Sequence, residues 1–263
     1  TPSPCKRPAG ADWPTGIRQP NSLIMPFDTL VHNAILITCN PSFDVVRCGW
    51  IGVSDGRIEA LGAEPDGWQR PQALAAIDAR GGIVMPGLVN THTHLPMTLF
   101  RGLADDLPLN TWLQEHIFPA ERTAVDPESV KWGTLLACAE MVLSGTTTCC
   151  DGYFHEDCVA QAVHAAGLRA VLGQGVIDHP APGVPDPAQN LTVARRFCRQ
   201  WLNRCETIQP SVFCHSPYTC SAETLTYAKR LCGEFGILFH GLAAETRWEA
   251  DRILSATGVT PVG

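Results

Sequence analysis

The sequence lacks several features that mark whole classes of protein. No apolar run approaches the ~20 residues that a membrane-spanning helix needs. The net charge of -7 comes without a stripe of basic side chains, so nucleic acid is not an expected partner. Residues 1–8 contain no apolar signal-peptide core, and we expect residues 1–22 to be a flexible lead-in. With 45% hydrophobic and 17% charged residues, the composition is typical of a globular enzyme rather than a disordered chain.

Cysteine is abundant, because the chain carries 12 cysteines. No two of them form a Cys-x-x-Cys pair, so the spacing gives little support to a zinc-cysteine cluster. Several, including Cys138, Cys149 and Cys214, fall within predicted strand or helix cores. A chain with a large core does not need disulfides for stability, so we expect reduced, buried cysteines in a cytoplasmic protein.

One stretch of the sequence points directly to chemistry. Residues 83–89 are an apolar run rich in β-branched side chains, which predicts a buried strand. His92 and His94 follow it, and in an extended backbone their side chains project to the same side. Two such imidazoles can bind a single metal ion. The alternative is a pair of surface histidines in a loop, which the apolar strand before them and the polar cluster around them disfavour.

The remaining pattern predicts a small β domain followed by alternating strands and helices. Residues 23–82 contain short β-like runs, and Asp55-Gly56 between hydrophobic residues predicts a hairpin turn. From residue 83 onward, strand, loop and helix repeat, which predicts parallel βαβ units over residues 83–263. After the first, further strands are predicted at 146–151, 169–176, 208–214 and 237–243. Polar residues at the C-terminal ends of the first, fourth and fifth strands lie where a (β/α)8 barrel places its chemistry.

Longer motifs resemble those of a known family. Residues 86–94, Pro-Gly-Leu-Val-Asn-Thr-His-Thr-His, and residues 101–106, Arg-Gly-Leu-Ala-Asp-Asp, resemble the first metal loop of the amidohydrolase superfamily. Residues 107–113 and 119–121 resemble the branch that deaminates 5'-methylthioadenosine and S-adenosylhomocysteine, which is close to the triazine and chlorotriazine hydrolases. The resemblance implies an α/β fold, a (β/α)8 TIM-type barrel of the metal-dependent hydrolase kind, beside an N-terminal β-sandwich domain over residues 23–82.

The implied barrel is incomplete in this sequence. A (β/α)8 barrel has eight strand-helix units, and about five are recognisable here. The strand-six histidine and strand-eight aspartate that the resemblance implies have no match. An open half-barrel would leave strand edges unpaired. We therefore expect the chain to be truncated at its C-terminus or to be completed by strands located elsewhere.

The resemblance also implies one divalent metal per chain, zinc first, with iron or another divalent ion as an alternative. A catalytic zinc typically takes three protein ligands and lowers the pKa of a bound water to about 7. His92 and His94 supply two ligands, whereas the third histidine of the family aligns with Leu242. His240 is the nearest substitute, although it lies ~6.6 Å deeper along the strand. A bulge could bring His240 forward, and the alternative is that it packs as a core histidine.

Three further residues complete the predicted site. Glu245 aligns with the family's proton shuttle and is our candidate general acid and base, a role compatible with that of a glutamate at a helix N-terminus. His215 lies in a segment that resembles a substrate-contacting segment of the family. Trp112 is expected in the loop after the first strand, where it would either stack on a purine or anchor the loop on the barrel rim.

The resemblance implies hydrolytic deamination of an adenosine-type nucleoside, 5'-methylthioadenosine or S-adenosylhomocysteine, to the inosine analogue and ammonia. One alternative keeps the site but changes the leaving group, as in a chlorohydrolase or amidohydrolase that removes chloride or an amine from a triazine, or a hydrolase that acts on guanine. Another is a catalytically inactive, truncated member that serves as a binding or assembly module, which Leu242 favours. A small-molecule substrate is the expected partner, with no nucleic acid and no membrane, and a homo-oligomer is left open.

Overall fold

The N-terminal unit, Thr1–Pro86, is built on a mixed five-stranded sheet. The computed structural model describes residues 26–262, and the lead-in predicted over residues 1–22 lies outside that range. The strands are β1 (Phe27–Ile37), β2 (Val45–Ser54), β3 (Arg57–Ala63), β4 (Ala73–Asp78) and β5 (Ile83–Val84). They are ordered β3-β2-β1-β4, and β5 also pairs with β1. β1, β2 and β3 form an antiparallel meander, whereas β4 and β5 run parallel to β1.

The hairpin between β2 and β3 turns at the predicted dipeptide. Asp55 and Gly56 both have positive φ, 51° and 70°, while Ser54 pairs directly with Arg57. A two-residue turn with two positive φ angles matches the right-handed twist of the flanking strands, and Gly56 adopts it without steric cost. Beneath this sheet, two small apolar clusters form the core of the unit. They are Phe27, Leu30 and Trp50, and Ala34, Leu36 and Val46.

The C-terminal unit, Gly87–Gly263, contains a second five-stranded sheet in which every neighbouring pair is parallel. Its strands are β6 (Leu88–Thr93), β7 (Thr146–Tyr153), β8 (Arg169–Val176), β9 (Ile208–Cys214) and β10 (Leu238–Gly241), in the order β10-β9-β8-β7-β6. The α-helices are α1 (Leu109–Thr111), α2 (Phe118–Ala124), α3 (Pro127–Leu143), α4 (Glu156–Ala166), α5 (Asn190–Trp201), α6 (Ala222–Phe235) and α7 (Arg247–Thr257). The predicted alternation of strands and helices is therefore present.

The strand predicted over residues 83–89 is two strands in the structure. β5 pairs with β1, whereas β6 pairs with β7 in the other sheet. Pro86 lies in the break and has no backbone N–H to donate to a strand ladder. A Cβ atom on Gly87 would lie 2.1 Å from Thr147 Oγ1, so the chain can approach β7 this closely only with glycine. As a result β6 starts later than predicted and includes His92.

The segment after β6, which we expected to be a loop, is largely helical. Residues Leu95–Phe100 form a 3-10 helix, and Trp112–Ile117 form a π-helical segment that continues into α2. Trp112 thus lies in a helix. The sequence patterns gave no sign of this because the apolar residues do not follow a helical period over a long window.

The main apolar core lies between the parallel sheet and helices α3 to α6. Val130 of α3, Leu172 of β8 and Val212 of β9 are each fully buried there. Side chains cap the starts of two of these helices, since Asp126 and Ser129 form a capping box at α3 and Ser221 caps α6. No helix in residues 26–262 has the length and apolar character needed to cross a membrane.

The cysteines differ from expectation at one position. Ten cysteines between Cys39 and Cys232 are free thiols, and six of them are buried. Burial raises the pKa of the buried Cys198 to about 12, so this thiol stays protonated and packs as a small apolar side chain. Cys48, however, is disulfide-bonded, so the prediction that all cysteines are reduced is wrong there.

Truncating a side chain in the centre of the parallel sheet tests this account of the core. Leu172 is 0% exposed, whereas Leu143 at the end of α3 is 88% exposed. We expect Leu172→Ala to lower the free energy of unfolding by about 2–5 kcal/mol, because it removes buried methyl groups and leaves a cavity. Leu143→Ala, the matched control, should change it by less than about 0.5 kcal/mol. Urea unfolding of both variants provides the measurement, and equal losses would contradict the placement of the core.

Candidate active site

Two histidines at the end of β6 face each other across a gap that suits a metal ion. His92 Nε2 and His94 Nε2 are 3.4 Å apart, and the two rings are nearly perpendicular. Two imidazole nitrogens bound to one tetrahedral zinc at about 2.0–2.1 Å would be separated by about 3.4 Å. His94 Nδ1 lies 2.7 Å from the Gly152 carbonyl oxygen. A carbonyl only accepts, so Nδ1 carries the proton and Nε2 keeps its lone pair for a ligand.

A buried carboxylate holds this histidine segment from behind. Asp151 in β7 is 0% exposed, and its Oδ1 accepts hydrogen bonds from Thr93 Oγ1 at 2.6 Å and from the Leu95 N–H at 2.7 Å. These two donors lie immediately before and after His94. Burial raises the pKa of the Asp151 carboxyl, an effect that its hydrogen bonds to Thr93 and Leu95 oppose. Asp151 therefore holds the Thr93 side chain and the Leu95 backbone, on the two sides of His94.

A pocket beside His94 gathers most of the predicted site residues. Its polar lining includes His94, His215 and Glu245, and Leu242 lies next to them. The apolar part of the lining comprises Met97, Leu109, Trp112, Leu113, Ile117, Phe118, Phe154 and Phe213. The structure thus brings Trp112, His215 and Glu245 together with His94. A pocket with apolar walls and a few convergent polar groups suits a flat, partly polar small molecule.

His215 follows directly after β9 and is neutral in this pocket. Its Nδ1 lies 2.9 Å from Thr219 Oγ1 and 3.3 Å from Ser216 Oγ. Burial, with smaller contributions from His94 and His179, lowers the pKa of His215 to about 4. A neutral imidazole whose Nδ1 is engaged by hydroxyl groups leaves Nε2 to meet a substrate atom.

The Glu245 carboxylate interacts electrostatically with His94. Burial lowers the pKa of His94, and the Gly152 carbonyl and the Glu245 carboxylate oppose this effect in that order. Glu245 is exposed and lies in the turn between β10 and α7. Glu245 therefore lines the same pocket as His94, where a proton-transferring group is useful.

His240 does not join the histidine pair in this structure. Its Nε2 lies 3.0 Å from Ser211 Oγ and its Nδ1 lies 3.6 Å from Cys150 Sγ. The Phe213 ring packs against both His94 and His240, with ring centroids 5.8 and 5.2 Å apart. Burial first, and His94 second, lower the pKa of His240 to about 4. Its contacts are those of a histidine packed inside the sheet.

The donor set therefore fits a metal only in part. His92 and His94 have the spacing of two ligands, but in residues 26–262 no group of three or more His, Cys, Asp or Glu side chains is arranged to hold an ion. Leu242, which aligns with the family's third histidine, contributes only an apolar side chain to the pocket. Two ligands leave a zinc ion short of the three that catalytic sites usually provide.

One carboxylate in the pocket was given no role by the sequence. Glu121 in α2 is 4% exposed and accepts a hydrogen bond from Tyr153 Oη at 2.6 Å. Burial raises the pKa of Glu121 to about 7, although the bond from Tyr153 opposes this. Residues 119–121 resemble a motif of the family, but only the structure shows that Glu121 lines the pocket, beside Tyr153 of β7. Glu121 offers an acceptor for a substrate hydroxyl group.

A sequence profile described as the amidohydrolase family matches residues 83–261. The chain belongs to the amidohydrolase family. It is 42% identical over 236 residues to the 5-methylthioadenosine/S-adenosylhomocysteine deaminase of Aquifex aeolicus, covering 90% of this chain and 52% of the relative.

Two solved structures are similar to this chain in fold. An adenosine deaminase from Xanthomonas campestris with bound zinc superposes with a TM-score of 0.85 at 34% identity, over 90% of this chain and 54% of that one. A triazine hydrolase from Arthrobacter aurescens gives a TM-score of 0.79 at 16% identity, over 89% and 56% of the two chains, which shows the fold alone. The chain spans about half the length of the relatives that it matches.

The raised pKa of Glu121 predicts a pH-dependent stability. Between pH 4.5, the ordinary pKa of a glutamate side chain, and about pH 7, the folded state keeps a proton that the unfolded state has released. The stabilisation of the folded state by this proton is complete below pH 4.5 and is lost as the pH rises to about 7. Relative to Glu121→Gln, the native protein should therefore lose up to about 3 kcal/mol of unfolding free energy across that range. Urea unfolding at several pH values measures it.

The exposed Glu115 lies in the preceding helical segment and provides a matched control. Glu115→Gln should leave the pH dependence of the unfolding free energy as it is in the native protein. Parallel pH profiles for the native protein and Glu121→Gln would contradict the buried, protonated state of Glu121.

Proposed function

We propose that the protein hydrolytically deaminates an adenosine-type nucleoside, 5'-methylthioadenosine or S-adenosylhomocysteine, to the inosine analogue and ammonia. The observation that carries the proposal is the pocket in which His94, His215 and Glu245 converge beside His92. Relatives that are about 40% identical and named as deaminases of these nucleosides support the substrate class. Because the chain spans about half of those relatives, the activity and its substrate are proposals for this chain.

In the proposed reaction, each side chain around the pocket has a separate role. Trp112 and the phenylalanine side chains provide apolar surfaces for a purine ring. His215, neutral and held by Thr219, contacts the ring through Nε2. The Glu121 carboxyl group accepts a hydrogen bond from a sugar hydroxyl group. Glu245 then takes a proton from the attacking water and gives it to the amino group. The amino group leaves as ammonia and the water oxygen stays bonded to the purine carbon, which is general acid–base catalysis.

We further propose that His92 and His94 hold one divalent ion, zinc in the first place, with iron or another divalent metal as alternatives. Such an ion, when bound, supplies a Lewis acid that lowers the pKa of water to about 7. The hydrogen bond to the Gly152 carbonyl keeps the His94 lone pair directed toward His92. His240 remains a candidate third ligand, although its bonds to Ser211 and Cys150 would have to break.

The wider architecture is a proposal as well. We propose that residues 83–263 form about five units of a (β/α)8 TIM-type barrel and that residues 23–82 belong to a β-sandwich domain. The parallel order β10-β9-β8-β7-β6 and the superposition on a zinc-containing deaminase support the barrel. We also propose a cytoplasmic location and a small-molecule substrate, with no nucleic-acid or membrane partner. Homo-oligomeric assembly is a further proposal.

A second candidate function follows from the incomplete ligand set. In the part of the chain that the structure describes, no third ligand stands beside His92 and His94, and the aligned position is Leu242. A chain of this kind could serve as a binding or assembly module that keeps the pocket without catalysis. The same pocket could also accept a triazine or a guanine, since the fold is shared with a triazine hydrolase and a guanine deaminase.

Turnover on a substrate panel separates these functions. The zinc-loaded chain should release ammonia from 5'-methylthioadenosine or S-adenosylhomocysteine, and Glu245→Gln should lower kcat by about 10²–10⁴-fold through loss of the proton donor. Ammonia release and the change in purine absorbance are the measurements. Activity only on triazines or guanine would contradict the adenosine-type substrate. The absence of turnover on every compound would favour the binding module.

Restoring the aligned histidine tests the metal proposal. Leu242→His should raise zinc affinity by about 100-fold or more, equivalent to about 2.7 kcal/mol, because a third imidazole then joins the pair. Isothermal titration of the metal-free chain with zinc gives the affinity. Leu238→His places the same substitution at an exposed position of β10 and should leave the affinity unchanged. Equal affinities for both variants would contradict the alignment of Leu242 with the metal ligand.

A further inference from the structure

The turn that carries Glu245 contains an unfavourable backbone conformation. Ala244, immediately before Glu245, has φ of 59°, in the left-handed region. That region is unfavourable for a residue with a Cβ atom, because Cβ approaches the following carbonyl oxygen. A single residue persists there only when its surroundings hold it. The turn between β10 and α7 must therefore be fixed by another interaction.

Glu249 supplies that interaction from the first turn of α7. Its side chain is 0% exposed. Oε1 accepts a hydrogen bond from the Ala244 N–H at 3.1 Å, and Oε2 accepts one from the Glu245 N–H at 2.9 Å. Each carboxylate oxygen thus binds one of two consecutive amides. This bidentate arrangement restrains the orientation of both peptide groups.

The arrangement departs from an ordinary capping box. Thr246 is the N-cap of α7, and its Oγ1 accepts a hydrogen bond from the Glu249 N–H at 3.1 Å, as expected. In the usual box, a glutamate at the position of Glu249 would return to the N–H of the N-cap residue itself. Here it reaches past Thr246 to the two preceding residues. Helix capping alone does not require these bonds.

The burial of this carboxylate is compensated locally. Burying an ionised carboxylate is costly unless hydrogen bonds and favourable charges surround it. Glu249 receives the two amide donors and lies at the N-terminal end of α7, where the helix dipole stabilises a negative charge. The side chain can therefore remain inside the protein and keep the turn closed.

We propose that Glu249 is a positioning residue, which holds the Ala244-Glu245 turn so that the Glu245 carboxylate faces the pocket lined by His94 and His215. This inference rests on the proposed function, in which Glu245 transfers the proton. Glu249 itself does not line that pocket. Its effect on the reaction passes through the backbone of Glu245.

The test combines amide exchange with steady-state kinetics on the zinc-loaded chain. Glu249→Ala removes both acceptors, and the amides of Ala244 and Glu245 should exchange at least about tenfold faster by NMR. With 5'-methylthioadenosine or S-adenosylhomocysteine, kcat should fall about 10²-fold while KM changes less than about threefold, since the proton donor is displaced and the binding surfaces remain. Glu249→Gln keeps one carbonyl acceptor and should restore part of the loss.

The matched control is Glu223, an exposed glutamate in the first turn of α6. Glu223→Ala removes the same charge from the first turn of another helix and should change neither exchange of the two amides nor kcat. If Glu249→Ala does not fold, the single-acceptor variant Glu249→Gln provides both measurements. Unchanged amide exchange in a folded variant, or unchanged kcat despite faster exchange, would overturn the positioning role.

Failure of the proposed function would give a different pattern. If the native chain has no turnover, the exchange rates and the ¹³C shift of the Glu245 carboxyl decide the proposal without kinetics. A changed Glu245 shift together with faster exchange in Glu249→Ala supports positioning, whereas an unchanged shift overturns it.

Discussion

The hydrogen bonds of one buried carboxylate determine the geometry of the candidate site. Asp151 accepts from the Thr93 hydroxyl and from the Leu95 amide, and the residue between those donors is His94. The next residue of β7, Gly152, contributes the carbonyl that fixes the His94 tautomer. β7 therefore controls both the path of the histidine segment and the direction of its lone pair. Parallel pairing of β6 with β7 makes this possible, since it brings the C-terminal ends of both strands to one edge.

Local sequence patterns were enough to predict the histidine pair and the alternation of strands and helices. His92 and His94 share a side because the backbone is extended there, which follows from the two-residue period of a strand. The break at Pro86 was harder to predict, because β5 and β6 pair with different sheets and that choice depends on distant partners. The helical segment around Trp112 was missed for a related reason, since it is short and packs through isolated apolar residues.

The sequence also did not predict which residues support the site. Asp151, Glu121 and Glu249 are acidic side chains that a pattern would place on the surface, yet each is buried and accepts hydrogen bonds from a residue that lies in the site or next to it. Their roles depend on which donors the fold brings near them. The sequence did identify Leu242 as a departure from the family, and the structure adds that the Phe213 ring contacts both His94 and His240.

The central claim is that His92 and His94 bind one metal ion together. Zinc K-edge X-ray absorption of the zinc-loaded chain tests it directly, because the fine structure reports the type of ligand atom and its distance. Our account predicts nitrogen or oxygen neighbours at about 2.0–2.1 Å with imidazole scattering, and loss of the bound zinc in His94→Ala. Sulfur neighbours at about 2.3 Å, or zinc that remains bound in His94→Ala, would contradict it and would indicate the free cysteines as the ligands.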